Sequence, residues 1–110
     1  MLPASVRIFV CTEPQDIRRS FDGLALATTQ LLGQDPRSDA LFVFLNKRST
    51  RAKVLWWDTN GYCLLYKRLH RALFRLPTMP PGGSRAVSID GRALATLLAS
   101  VEKRRRGLDG

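Results

Sequence analysis

The chain is poor in the side chains that most catalytic and metal chemistry requires. His70 is the only histidine among 110 residues, so a His-rich metal site is excluded. The two cysteines, Cys11 and Cys63, lie far apart and outside any CxxC pattern. They fit small apolar positions on strands, and their spacing demands no oxidising compartment. No apolar run approaches the roughly 18 residues of a membrane span. The N-terminal residues show no long apolar stretch after a basic start. No secretion signal and no membrane partner are therefore expected, and a cytoplasmic location is the default. Phosphate-binding and dinucleotide glycine patterns are absent. One core fits a chain of this length, but a separate cofactor domain does not.

Acidic residues are also scarce, at nine Asp and Glu against eighteen Lys and Arg, for a net charge of +9. The excess is unevenly spread. Residues 1–43 sum to −1 and residues 76–110 to +3. Residues 44–75 carry Lys47, Arg48, Arg51, Lys53, Lys67, Arg68, Arg71 and Arg75 against Asp58 alone. A clustered excess of this kind points to a polyanionic partner; the alternative is a well-solvated surface with no ligand. The apolar fraction of 45% and charged fraction of 25% are those of a globular fold.

Catalysis finds little support. Asp16, Asp22 and Asp58 are the carboxylate candidates for a two-metal site, which needs convergent carboxylates. Asp16 and Asp22 are six residues apart, so on a helix they would point about 120° away from each other. Cap and turn roles explain all three. No catalytic residue, metal or cofactor is assigned.

The pattern predicts an α+β fold in a single domain over residues 1–102, with a basic, frayed tail over 103–110. Ser5 to Cys11 alternates as a strand. A helix comes next, with an apolar stripe of Ile17, Phe21, Leu24, Thr28 and Leu31. Asp16 or a Thr12–Gln15 capping box would start it, and Gly33 would stop it. Leu41 to Leu45 is apolar on both faces, as a central strand requires. Lys53–Asp58 and Tyr62–Leu69 read as two further strands around an Asn60-Gly61 turn. Phe74–Leu76 suggests a short edge strand, Pro77–Ser84 a loop and Ala86–Ile89 another strand. Asp90 would cap a last helix bearing Leu94, Leu97, Leu98 and Val101 on one face. The expected architecture is an antiparallel meander with two amphipathic helices on its faces.

With Asn60-Gly61 as a two-residue turn, Trp57 would face Leu64, Leu55 would face Tyr66, and Lys53 would face Arg68 on one side of the hairpin. Val54, Trp56, Cys63, Leu65 and Leu69 would form the core side, with Lys67 at its end. Cations beside Trp57 and Tyr66 would suit a stacking platform for single-stranded nucleic acid. A helix covering both rings is the competing reading. Phosphate contact by Lys47, Arg48, Arg51, Lys53, Lys67, Arg68 and Arg71 needs no aromatic surface.

Several of these stretches together resemble a known signature. They are Asp16-Ile17-Arg18-Arg19-Ser20-Phe21-Asp22-Gly23-Leu24, the run Leu41–Phe44, Lys53-Val54-Leu55-Trp56-Trp57-Asp58, Gly61, Cys63 and Tyr66-Lys67-Arg68-Leu69. The chain is similar over residues 5–101 to TnpB, the small Orf2-like accessory protein of the insertion-sequence group numbered sixty-six. The resemblance implies a non-catalytic role supporting DNA transposition, with the transposase TnpC and the second accessory protein TnpA as partners and the cutting carboxylates in TnpC. DNA, transposase or both would meet the basic segment. A protein-only interaction module and an RNA-binding regulator are the alternatives. The resemblance carries no oligomeric state.

Overall fold

The run Leu41–Leu45 is buried at all of its positions and forms the middle strand of a five-stranded sheet. The structure, a computed structural model, describes residues 6–76, 82–99 and 102–103. In chain order the elements are β1 (Ile8–Cys11), α1 (Phe21–Leu32), β2 (Leu41–Leu45), β3 (Arg51–Asp58), β4 (Gly61–Arg68), β5 (Ala72–Leu73), β6 (Ala86–Ile89), α2 (Gly91–Ala99) and β7 (Glu102–Lys103). The sheet order is β4-β3-β2-β1-β6, and β5 pairs separately with β7. The α+β class is as expected, and β2, β3 and β4 form the antiparallel meander. The sheet as a whole is mixed, because β1 runs parallel to β2. A strand joined to its neighbour through a helix re-enters the sheet in the same direction. β6 then pairs antiparallel on the outer side of β1.

The two helices cover opposite faces. Alternation along β2 sends Phe42 and Phe44 one way and Leu41 and Val43 the other. Phe42 and Phe44 join Cys11, Leu55 and the α1 residues Leu24, Ala27 and Leu32 in one cluster. Leu41 and Val43 join Ile8, Val10, Val54 and the α2 residues Leu94 and Leu97 in another. A third, small cluster of Leu45, Ala52 and Phe74 closes one end.

α1 begins later than its stripe implied. The Asp16 carboxylate accepts the Arg18 N–H, and the Arg19 N–H donates to the Asp16 carbonyl. These bonds close a separate turn, so Asp16 does not cap the helix and Ser20 stands at the N-cap position. The buried set on α1 is Leu24, Ala27, Thr28 and Leu32, and Phe21 is left 43% exposed. Gly33 ends α1 in the left-handed region at φ 63°, its N–H donating to the Thr28 carbonyl. Asp90 caps α2 as expected, accepting the Ala93 N–H at 2.8 Å.

The edge strand expected over Phe74–Leu76 forms instead at Ala72–Leu73, which pairs with β7 and not with the main sheet. Phe74 is buried, because it fills the end of the core. Lys103, expected in the tail, pairs with Ala72. The rest of that tail, Val101, and residues 77–81 of the proline-rich loop lie outside the described residues.

The hairpin turn also differs from expectation. Asp58 and Gly61 form its last pair, so Thr59 and Asn60 make the turn, with Thr59 at φ 56°. The faces keep their residues, but partners shift by two. Trp57 stands opposite Tyr62, Leu55 opposite Leu64, Lys53 opposite Tyr66 and Arg51 opposite Arg68. This register brings Leu55 and Leu64 together against the α1 cluster and sets Trp57 edge-on to Tyr62 at 5.0 Å. Those contacts outweigh the strain of roughly 1–2 kcal/mol for a non-glycine residue in the left-handed region.

Candidate functional site

One end of the sheet gathers four chain segments. β1 and β2 run toward it, β3 starts from it, and β4 returns to it. The segment 12–20 crosses this end, where the Gln15 N–H donates to the Leu45 carbonyl at 2.9 Å. Asn46 organises the β2–β3 turn. Its Oδ1 accepts the N–H groups of Thr50 and Arg51 at 2.9 and 3.0 Å, and its Nδ2 donates to Thr50 Oγ1 at 3.1 Å. The same turn anchors the stretch after β4: the Leu69 N–H donates to the Thr50 carbonyl, and the Phe74 N–H to the Ser49 carbonyl.

Five basic residues of the central segment therefore come to this end. Lys47 and Arg48 sit exposed on the turn, Arg51 and Arg68 stand opposite each other in register, and Arg71 lies in the stretch after β4. Like charges directly opposite on neighbouring strands repel. Among the described residues, none of the five has a carboxylate within ion-pair distance.

Lys53 and Lys67 are placed differently. Lys53 is only 9% exposed; its Nζ donates to the Arg19 carbonyl at 2.7 Å and lies 5.1 Å from the Tyr66 ring centroid. This ammonium ties the segment before α1 onto the sheet and is turned away from solvent. Lys67 is on the α2 face, and its Nζ donates to the Leu98 carbonyl at 2.7 Å. That carbonyl is at the C-terminal end of α2, where a cation meets the negative end of the helix dipole.

Trp57 and Tyr66 do not make one surface. Four residues separate Trp57 from Lys53, the partner of Tyr66, which is about 13 Å along a strand. The Leu55–Leu64 pair, packed with the α1 cluster, lies between them. Trp57 is half-buried under the Arg37 guanidinium, 4.7 Å from its ring centroid. Tyr66 is 51% exposed at the basic end.

The signature residues divide into frame and surface. Arg18 pairs with Asp16 at 2.8 Å in solvent, and its hydrogen bonds lower the Asp16 carboxyl from the ordinary 3.8 to about 2. Arg19 lies over Gly23, where an added Cβ would come within 3.2 Å of the arginine side chain. Its Nη1 donates to Gln15 Oε1 at 3.2 Å. Asp22 lies in the first turn of α1, where the dipole favours a negative charge. Trp56 packs with the α2 cluster, and Asp58 and Gly61 close the hairpin. Burial pushes the Cys11 thiol up, as suits a core residue. Gln15 and Asn46 hold this end together through amide hydrogen bonds to groups within five residues; the sequence offers Gln15 only as part of a capping box and does not single out Asn46. Among the described residues no three His, Cys, Asp or Glu side chains are grouped to hold a metal ion, and no helix is long and apolar enough to cross a membrane.

The IS66 Orf2-like protein family matches residues 6–107 of the chain. Two curated relatives come from Sinorhizobium fredii. Uncharacterized protein y4hO is 36% identical over 106 residues, covering 94% of this chain and 90% of the relative. Uncharacterized protein y4jC is 32% identical over 97 residues, covering 88% and 80%. No solved structure matches the chain. With the family spanning both helices and the entire five-stranded sheet, the chain belongs to the IS66 Orf2-like family of transposition-associated accessory proteins.

Proposed function

We propose that the chain is a non-catalytic accessory protein of transposition that binds the DNA of its insertion sequence through the basic end of the sheet. The observation that carries this reading is the in-register pair Arg51–Arg68, with Lys47, Arg48 and Arg71 beside it and, among the described residues, no carboxylate within ion-pair distance. A like-charge pair costs free energy in the isolated protein, and a phosphate between the two guanidinium groups reverses that cost. Lys53 is left out of the contact set because it is buried with its ammonium on the Arg19 carbonyl, and Lys67 because it lies on the α2 face, opposite to Arg51 and Arg68. The transposase TnpC and the accessory protein TnpA are the protein partners that the family role implies.

Fluorescence anisotropy with duplex DNA from the element ends tests this. If the five residues neutralise five phosphates, log affinity falls against log salt with a slope of about −4.5. Changing Lys47, Arg48, Arg51, Arg68 and Arg71 together to glutamine abolishes binding and leaves the circular dichroism spectrum unchanged. Equal affinity of variant and wild type refutes the proposal. Retention of TnpC on the wild type alone, with no DNA bound by either, replaces it with a protein-only contact.

A further inference from the structure

The two edges of the five-stranded sheet are unequal. β6 has four residues and is flanked by Arg85 and Asp90, the short and charged form in which an edge resists pairing. β4 has eight residues, and its first six, Gly61-Tyr62-Cys63-Leu64-Leu65-Tyr66, carry no charge and no proline. Leu65 and Tyr66 are 42% and 51% exposed. Among the described residues nothing pairs with the outer side of this strand.

The backbone phase of that edge is fixed. The Leu69 N–H donates to the Thr50 carbonyl, and pairs two residues apart continue the same pattern. Odd-numbered residues of β4 therefore bond to β3. Tyr62, Leu64, Tyr66 and Arg68 present their N–H and C=O groups outward.

We infer that β4 is an interface between two copies of this chain, which pair antiparallel through it into one continuous sheet. A two-fold axis perpendicular to the sheet keeps equivalent faces on the same side, so residues of like parity must meet. Placing the axis at Leu64 meets this condition and uses nearly the whole strand. Leu64 then faces its own copy, Tyr62 faces Tyr66, and Cys63 faces Leu65. The outward groups make about six backbone hydrogen bonds.

Charge supports this occupant. In the same register Lys67 of one copy stands opposite Gly61 of the other, whose β3 neighbour on the same face is Asp58. Gly61 has no side chain to intervene. The lysine stem can therefore cross it toward the exposed Asp58 carboxylate, the ammonium exchanging the neutral Leu98 carbonyl for a charged acceptor on pairing. The strand carries its positive charge at one end and a negative charge beside the other, which antiparallel self-pairing brings together twice. Arg51, Arg68 and the β2–β3 turn are not needed for this contact, so the interface stands apart from the proposed DNA surface.

Sedimentation velocity on the full chain across a concentration series tests the inference. The wild type sediments as a dimer. Asp58→Lys and Lys67→Glu each weaken dimerisation about ten-fold or more, since two attractive pairs become repulsive. Mixing the two variants restores a dimer, because each altered charge then meets its complement in the other chain. A bismaleimide spanning about 8 Å couples Cys63 to Cys63 across the axis, the diagonal spacing of this register, and Cys63→Ser abolishes the coupling. A wild type that is monomeric throughout overturns the inference. So does a dimer that neither charge reversal disturbs, or one restored by neither mixing nor coupling. A monomer that binds TnpC and loses it on Tyr66→Pro overturns self-pairing in favour of a foreign strand.

Discussion

The buried ammonium of Lys53 offers a sharp test of how this end of the molecule is built. Replacing it with methionine keeps the stem and removes the charge. The lost bond to the Arg19 carbonyl is a charge-assisted one at 2.7 Å, worth about 1.5–3 kcal/mol. The contact with Tyr66 adds about 0.5–1 kcal/mol. Relief from holding a lysine nearly out of water offsets part of that loss. The expected net destabilisation is about 2 kcal/mol. For a domain of this size that lowers the melting temperature by roughly 8 °C, and urea denaturation gives the free energy directly. DNA binding separates the two roles a lysine can have here. A structural Lys53 leaves the salt slope of binding unchanged, whereas Arg51→Gln lowers it by about 0.9. Unchanged stability in Lys53→Met, or a salt slope lowered as in Arg51→Gln, refutes the reasoning.

Two more outcomes are expected from the same end of the sheet. Asn46→Ala removes three hydrogen bonds from the β2–β3 turn and costs about 1–3 kcal/mol; amide exchange of Thr50 and Arg51 speeds up in the variant, and DNA affinity drops although no charge is lost. The Asp16 carboxyl, lowered to about 2 in the fold, contributes stability that is complete above the unfolded value near 4 and is lost as pH falls through 2. Asp16→Asn therefore shows less loss of stability between pH 4 and pH 2 than the wild type, and carboxyl carbon NMR of the wild type places the Asp16 midpoint near 2.

Much of the frame was legible because it rests on local chemistry. The run Leu41–Leu45 is apolar on both faces, which only a central strand tolerates. Gly33 and Asp90 punctuate their helices through bonds within a few residues of themselves. The start of α1 was not legible. Asp16 carries the chemistry of a cap, yet it spends its carboxylate on Arg18, and the periodicity before the helix belongs to a separate turn. The hairpin turn was displaced for a related reason. Asn60-Gly61 is the better local turn, but the packing of Leu55 with Leu64 and of Trp57 with Tyr62 decides the register.

The central charge excess shows the same division. The sequence by itself determined that residues 44–75 carry the positive charge, that the chain is α+β, and that the signature stretches belong together in one family. Only the tertiary structure decided what each charge does. Strand register sets Arg51 against Arg68, burial takes Lys53 out of solvent, and α2 occupies the ammonium of Lys67. Linear spacing fixes a residue's face on its own strand. The partner across the sheet, and the carbonyl that a long side chain reaches, depend on how distant segments pack.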